Sequence, residues 1–136
     1  MVKPVIELLS LLERNYMDER YQIVSVIGLG YIGLPTAALL ASNGYLVHGV
    51  DVNEETVGEI NSGEIHTLEP DLNELVKSAV KDNKLKAHLE VQPADVYIIC
   101  VPTPFHCDIE TPSPNLDYVR AAAESISANV KRDDIV

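Results

Sequence analysis

Hydrophobic and polar positions along this chain follow two periods in turn. Runs of β-branched and apolar residues at 22–27 (QIVSVI), 45–50 and 95–101 read as buried strands, and a shorter run over 86–91 reads as another. Between them, apolar residues return every three or four positions, the spacing of helices. One helix is predicted over 34–43, closed by Gly44, with Pro35 expected to distort its start slightly. A second starts at Asn53 or Glu54 and stops at Ser62-Gly63. A third is capped by Asp71 and carries Leu72, Leu75, Val76 and Ala79 on one face. A last one, opened by Ser113-Pro114 or Asn115, aligns Leu116, Val119, Ala123, Ile126 and Val130. Residues 102–114 hold four prolines and read as a functional loop at the C-terminal end of a strand. A further strand begins near Ile135. This alternation predicts an α/β fold, a doubly wound parallel sheet with helices on both faces.

The ends of the chain change that picture. Residues 1–20 are predicted to form a helical extension, with Pro4 in its first turn and Val5, Leu8, Leu9, Leu12 and Tyr16 on one face. Glu7 and Glu13 interrupt the apolar run and no small-residue cleavage site follows, so a helix packing on its own domain or a neighbour is expected rather than a signal peptide. Residues 21–136 then make one domain. The closing Asp133-Asp134-Ile135-Val136 resembles the start of a buried strand, and the chain is expected to be the front part of a longer protein.

Composition narrows the chemistry. The 136 residues are 46% hydrophobic and 23% charged, the balance of a soluble globular domain. No apolar run approaches the roughly 20 residues of a membrane-spanning helix. Ten Lys and Arg against 21 Asp and Glu give a net charge of −11, which excludes general nucleic-acid binding. Any phosphate bound here must be held by backbone geometry. Two cysteines, Cys100 and Cys107, fit a reducing, cytoplasmic setting, and with only His106 nearby no zinc or other metal site is expected.

The segment Gly28-Leu29-Gly30-Tyr31-Ile32-Gly33 has the pattern G-x-G-x-x-G between a strand and a helix, and Asp51 ends the next strand. In that context Gly28 permits a tight turn, Gly30 lets backbone approach a pyrophosphate, and Gly33 lets the helix pack closely on the sheet. The pyrophosphate is expected on free N–H groups at the helix N-terminus, where the dipole favours negative charge. Asp51 is placed to accept the hydroxyls of the adenosine ribose and to repel a 2′-phosphate. Val52-Asn53-Glu54-Glu55 supply no cation to offset that repulsion, so NAD is expected rather than NADP.

The segments VIGLGYIGLPTA, GVDVN, NSGEIHTLEPDL and VPTPF carry a resemblance further. Together they resemble the N-terminal, Rossmann-type domain of the UDP-glucose/GDP-mannose dehydrogenase family, the nucleotide-sugar 6-dehydrogenases. The GLP after the glycine turn, the GEIH-x-x-EPDL loop and VPTPF are closer to the family's UDP-N-acetyl-D-mannosamine branch than to its UDP-glucose branch. The resemblance implies that Tyr31 and Ile32 meet the pyrophosphate through their backbone and that Thr103 lies near the nicotinamide half. It implies oxidation of a sugar C6 alcohol to a carboxylate with two NAD and one water, for surface polysaccharide or glycan synthesis. That chemistry needs a cysteine to hold the aldehyde and a donor for the oxyanion. In the family these lie beyond the position of Val136, so no catalytic residue is expected here and the chain alone is expected to be inactive. The UDP-sugar site would belong mostly to the missing domains, and the whole protein would be a homo-oligomer.

The remaining reactive side chains take plainer roles. Cys107 lies off the family's catalytic position, and Cys100 is expected to be packing. His48 and His88 fall in or beside strands, and His66 and His106 fall in loops near the cofactor edge. Glu69 is expected either to approach the active site or to order its loop. The competing readings are another nucleotide-sugar 6-dehydrogenase, of the UDP-glucose type, and a free-standing NAD-binding module that catalyses nothing.

Overall fold

The structure, a computed structural model, describes residues 21–65, 69–106 and 113–136. The expected N-terminal helix, His66 and Cys107 lie outside the described residues. Four parallel strands, β1 (Ile23–Ile27), β2 (Leu46–Val50), β3 (Leu85–His88) and β4 (Val96–Ile99), form a sheet in the order β3-β2-β1-β4. The register pairs Ser25 with His48 on one side of β1 and with Tyr97 on the other. Beyond β4 the chain returns at Ile135, whose carbonyl accepts the Tyr97 N–H at 2.8 Å and whose N–H donates to the Asp95 carbonyl at 3.0 Å. The strand expected near Ile135 therefore makes first contact with the sheet here. Asp95 fastens the entry to β1: its Oδ2 accepts the N–H groups of Gln22 at 2.9 Å and Ile23 at 2.8 Å.

Helices cover both faces. On one lie α1 (Gly33–Ser42), α2 (Glu54–Ser62) and α3 (Pro70–Lys81). Their Ala37, Ala38, Ala41, Ile60, Val76 and Ala79 pack on Val24, Val26, Val47, Leu85 and Ala87 of the strands. On the other lies α4 (Asp117–Ser127), whose Ala122 and Ile126 pack on Ile27, Val50 and Tyr97. The α/β doubly wound class predicted from the alternation is the fold observed.

Local chemistry accounts for the element ends. Asn53 caps α2, its side chain accepting from the N–H of Glu55 at 2.9 Å and of Thr56 at 3.2 Å, and Gly63 closes that helix at φ 72°, a left-handed conformation. Pro35 falls in the first turn of α1, where a missing N–H costs least, and its neighbours keep their bonds, Leu34 N–H to Gly30 at 3.0 Å and Thr36 N–H to Ile32 at 3.2 Å. The helix runs unbroken through Ser42. Asp71 is not the cap of α3: Pro70 occupies the first helical position and places Asp71 inside the first turn, with Glu69 at the cap position making no side-chain cap bond. The proline-rich segment contains a small antiparallel pair, β5 (Phe105–His106) and β6 (Ser113–Pro114). The last helix thus starts later than predicted, at Asp117, with Asn115 Oδ1 accepting the Asp117 N–H at 2.9 Å. On it Ala122 rather than Ala123 faces the core, and Leu116 is half exposed.

Candidate functional site

The strand order reverses at β1, with β2 on one side and β4 on the other. Open α/β sheets bind ligands at this point, beyond the C-terminal ends of the strands. The glycine turn follows β1 there, and its geometry explains two of its three glycines sterically. Gly28 has φ 91°, and a Cβ on it would lie 2.8 Å from the Cys100 carbonyl oxygen. A Cβ on Gly33 would lie 1.7 Å from the Gly28 carbonyl oxygen, so α1 can start against the turn only with glycine there. Gly30 differs: a Cβ on it would meet nothing within 4 Å. Gly30 lines the cleft, and the space beside it is open rather than filled by protein.

That cleft encloses about 800 Å³. Gly28, Gly30, Tyr31, Ile32 and Asp51 line it at one end, and Tyr118, Ala121 and Ser125 of α4 form its far wall. Gly33 stands behind the turn, packed against it. Pro102 reaches the lining, but the neighbouring Thr103 is exposed and does not line it. The α1 N-terminus has no side-chain cap and no acidic residue in its first turn, which leaves its positive end open to an anion. Tyr31 is 90% exposed, so its side chain is not packed on the rest of the protein.

Asp51 stands at the end of β2, partly buried. Its Oδ2 accepts the Leu29 N–H at 2.9 Å and its Oδ1 accepts the Asn53 N–H at 2.9 Å. Each oxygen retains a lone pair for a further donor. Among the described residues, the charged side chains lining the cleft are Asp51 and Glu90, both carboxylates, with no lysine or arginine beside them. A ligand with hydroxyls at this end fits, and one with an extra phosphate is repelled.

Several contributors were not foreseen from the sequence. Gly49 leaves room for the buried Leu29 side chain, whose Cδ1 would lie 2.9 Å from a Cβ at that position. A glycine inside a β-branched strand was the available signal. The far wall comes from a second stripe on α4, Tyr118, Ala121, Ala122 and Ser125, offset from the one read as its core face. Leu89, Glu90 and Val91, after β3, also line the cleft. His48 Nδ1 and His88 Nε2 lie 3.0 Å apart across β2 and β3, a pairing invisible at 40 residues' separation. Burial first, then the Lys86 charge, pushes the His48 imidazole below its usual range; burial, His48 and Lys86 do the same to His88.

Cys100 follows β4 and lines the cleft. Burial pushes its thiol up, which keeps it protonated and a poor nucleophile. His106 lies in β5, away from the lining. Among the described residues no three metal-ligating side chains converge, and no helix is long and apolar enough to cross a membrane.

A glycine turn at the switch point, an open helix N-terminus and an acid closing the second strand define a dinucleotide-binding domain. Residues 22–136 match the UDP-glucose/GDP-mannose dehydrogenase family, NAD binding domain, and the chain belongs to that family as its NAD-binding part. It is 50% identical over 116 residues to UDP-N-acetyl-D-mannosamine dehydrogenase of Yersinia pestis, covering 85% of this chain and 27% of that protein. It is 48% identical over 120 residues to NDP-N-acetyl-D-galactosaminuronic acid dehydrogenase of Ralstonia nicotianae, covering 88% of this chain and 28% of the relative. The structure of the UDP-N-acetyl-mannosamine dehydrogenase Cap5O from Staphylococcus aureus superposes with a TM-score of 0.79 at 38% identity, over 83% of this chain and 27% of that one. The chain thus spans little more than a quarter of the length of the curated relatives it matches.

Proposed function

We propose that this chain is the cofactor domain of an NAD-dependent UDP-N-acetyl-D-mannosamine 6-dehydrogenase. The observation that carries the reading is the 50% identity to a relative of that name, across a region that holds the whole glycine turn and Asp51. In this reading residues 21–136 form the cofactor domain, and residues 1–20 form a helical extension to it. The backbone at Gly28, Gly30, Tyr31 and Ile32 receives the pyrophosphate, with Gly33 holding α1 against the turn. The Asp51 carboxylate accepts the adenosine ribose hydroxyls, and Thr103 stands toward the nicotinamide end. When bound, NAD supplies the hydride acceptor. The chain's own residues orient it and exclude NADP, through Asp51 and Glu90.

The sugar site, the nucleophilic cysteine and the oxyanion donor would lie in the remainder of a cytoplasmic, homo-oligomeric enzyme. That enzyme would take the C6 alcohol to a carboxylate with two NAD and one water, for surface glycans. The Ralstonia relative supports a second reading, in which the acetamido sugar has the galacto configuration. The test assays the whole protein with NAD and UDP-N-acetyl-mannosamine, UDP-N-acetyl-galactosamine or UDP-glucose. Two NADH per UDP-N-acetyl-mannosamine, with little from the others, supports the first reading. A preference for either other sugar overturns it.

A further inference from the structure

The end of β2 grips the glycine turn at two successive amides. The Val50 carbonyl accepts the Gly28 N–H at 2.7 Å, and Asp51 Oδ2 accepts the Leu29 N–H at 2.9 Å. The other Asp51 oxygen accepts the Asn53 N–H, and Asn53 is itself the cap of α2. One carboxylate therefore ties the phosphate turn to the start of the next helix. Leu29 is held a second way, by its side chain buried over Gly49.

The geometry points to Asp51 as a positioning residue for the glycine turn: its carboxylate sets the Leu29 amide, and with it the backbone that receives the pyrophosphate, before any dinucleotide arrives. The same side chain that meets the ribose thus shapes the site of the phosphates, and loss of it weakens binding of parts of the cofactor it never touches. This inference rests on the reading of the cleft as an NAD site. Its physical basis is preorganisation: a carboxylate–amide bond is charge-assisted and short, and a turn already in shape loses less freedom on binding. The bonds to Leu29 and Asn53 also fix the carboxylate plane, so its free lone pairs have set directions.

A thermodynamic cycle separates this role from ribose contact. The chain and its Asp51→Ala variant are titrated with NAD and with an NAD analogue whose adenosine ribose lacks the 2′ and 3′ hydroxyls. Amide hydrogen exchange is followed on both ligand-free proteins. The expected result is that Asp51→Ala weakens the deoxygenated analogue by about fivefold or more, and speeds exchange at Leu29 by about tenfold while the core amides of β1 hold. Unchanged affinity for the analogue, or unchanged exchange at Leu29, overturns the inference. Should Asp51→Ala fail to fold, Asp51→Asn replaces it, since a carboxamide cannot accept from both Leu29 and Asn53 without turning a donor toward one. If the unmodified chain binds neither dinucleotide, the NAD reading falls, and exchange at Leu29 alone decides the positioning role.

Discussion

The two faces of the sheet are built to different ends. Under α1, α2 and α3 the strands present Val24, Val26, Val47 and Ala87, all nearly inaccessible, and the helices answer with alanines and Ile60. On the face that carries α4 the central row across the strands reads Lys86, which is exposed, His48, Ser25 and Tyr97. Tyr97 is satisfied by the Ala94 N–H at 3.0 Å, whereas the buried Ser25 hydroxyl has no partner among the described residues. The first face is a closed core. The second gives up apolar packing toward the strand ends and opens into the cleft. The difference shows that stability and binding are divided between faces, and substitutions should separate them.

The largest effect is expected where both faces meet, at the turn. Gly33→Ala drives a methyl into the Gly28 carbonyl and should cost about 3 kcal/mol or more, read as a lowered urea midpoint. If its midpoint equals that of the unmodified chain, the turn is not the joint between the faces. Next come two matched truncations. Ile60→Ala on the closed face is expected to cost about 4 kcal/mol and Ile126→Ala under α4 about 2 kcal/mol, because the smaller cluster beside the cleft can collapse. Equal losses would erase the contrast. Gly30→Ala sharpens it from the other side: its methyl meets no protein atom at a position that lines the cleft, so the midpoint should hold while NAD affinity by calorimetry falls about tenfold.

The smallest effect concerns pH. Both His48 and His88 are held below their ordinary value in the folded state, so the unfolded chain binds more protons in the window just below about 6.5. Their contribution to stability is present above that value and is lost progressively as pH falls from it through the lower folded-state values. A His48→Asn variant should show a flatter fall in thermal midpoint between pH 8 and 5.5, and an identical fall would mean the pair is not coupled to folding.

The closed face was legible because periodicity reports burial. Val24 and Val26 fall in the β-branched run read as a buried strand, and Leu72, Leu75, Val76 and Ala79 recur at the helical spacing read from the chain. The glycine turn and Asp51 were legible because backbone constraints fix residue type locally. The far wall of the cleft was not. Alanine and serine on α4 carry no preference between a core and a ligand, and the stripe that buries was misassigned by one residue at Ala123. The His48–His88 pair and the grip of Asp51 on Leu29 depend on which strands become neighbours, which only the sheet order decides.

One contact on the outer strand bears on how copies of this molecule behave together. The Asn61 carboxamide faces β3 and makes both bonds that another strand would make to Ala87, donating to its carbonyl at 2.9 Å and accepting its N–H at 2.8 Å. An unfilled sheet margin is a template for recruiting extended chain from a neighbour, the first step toward fibrils or precipitate. A single side chain stands in for that recruit, so the outer margin is occupied from within before a second molecule can use it.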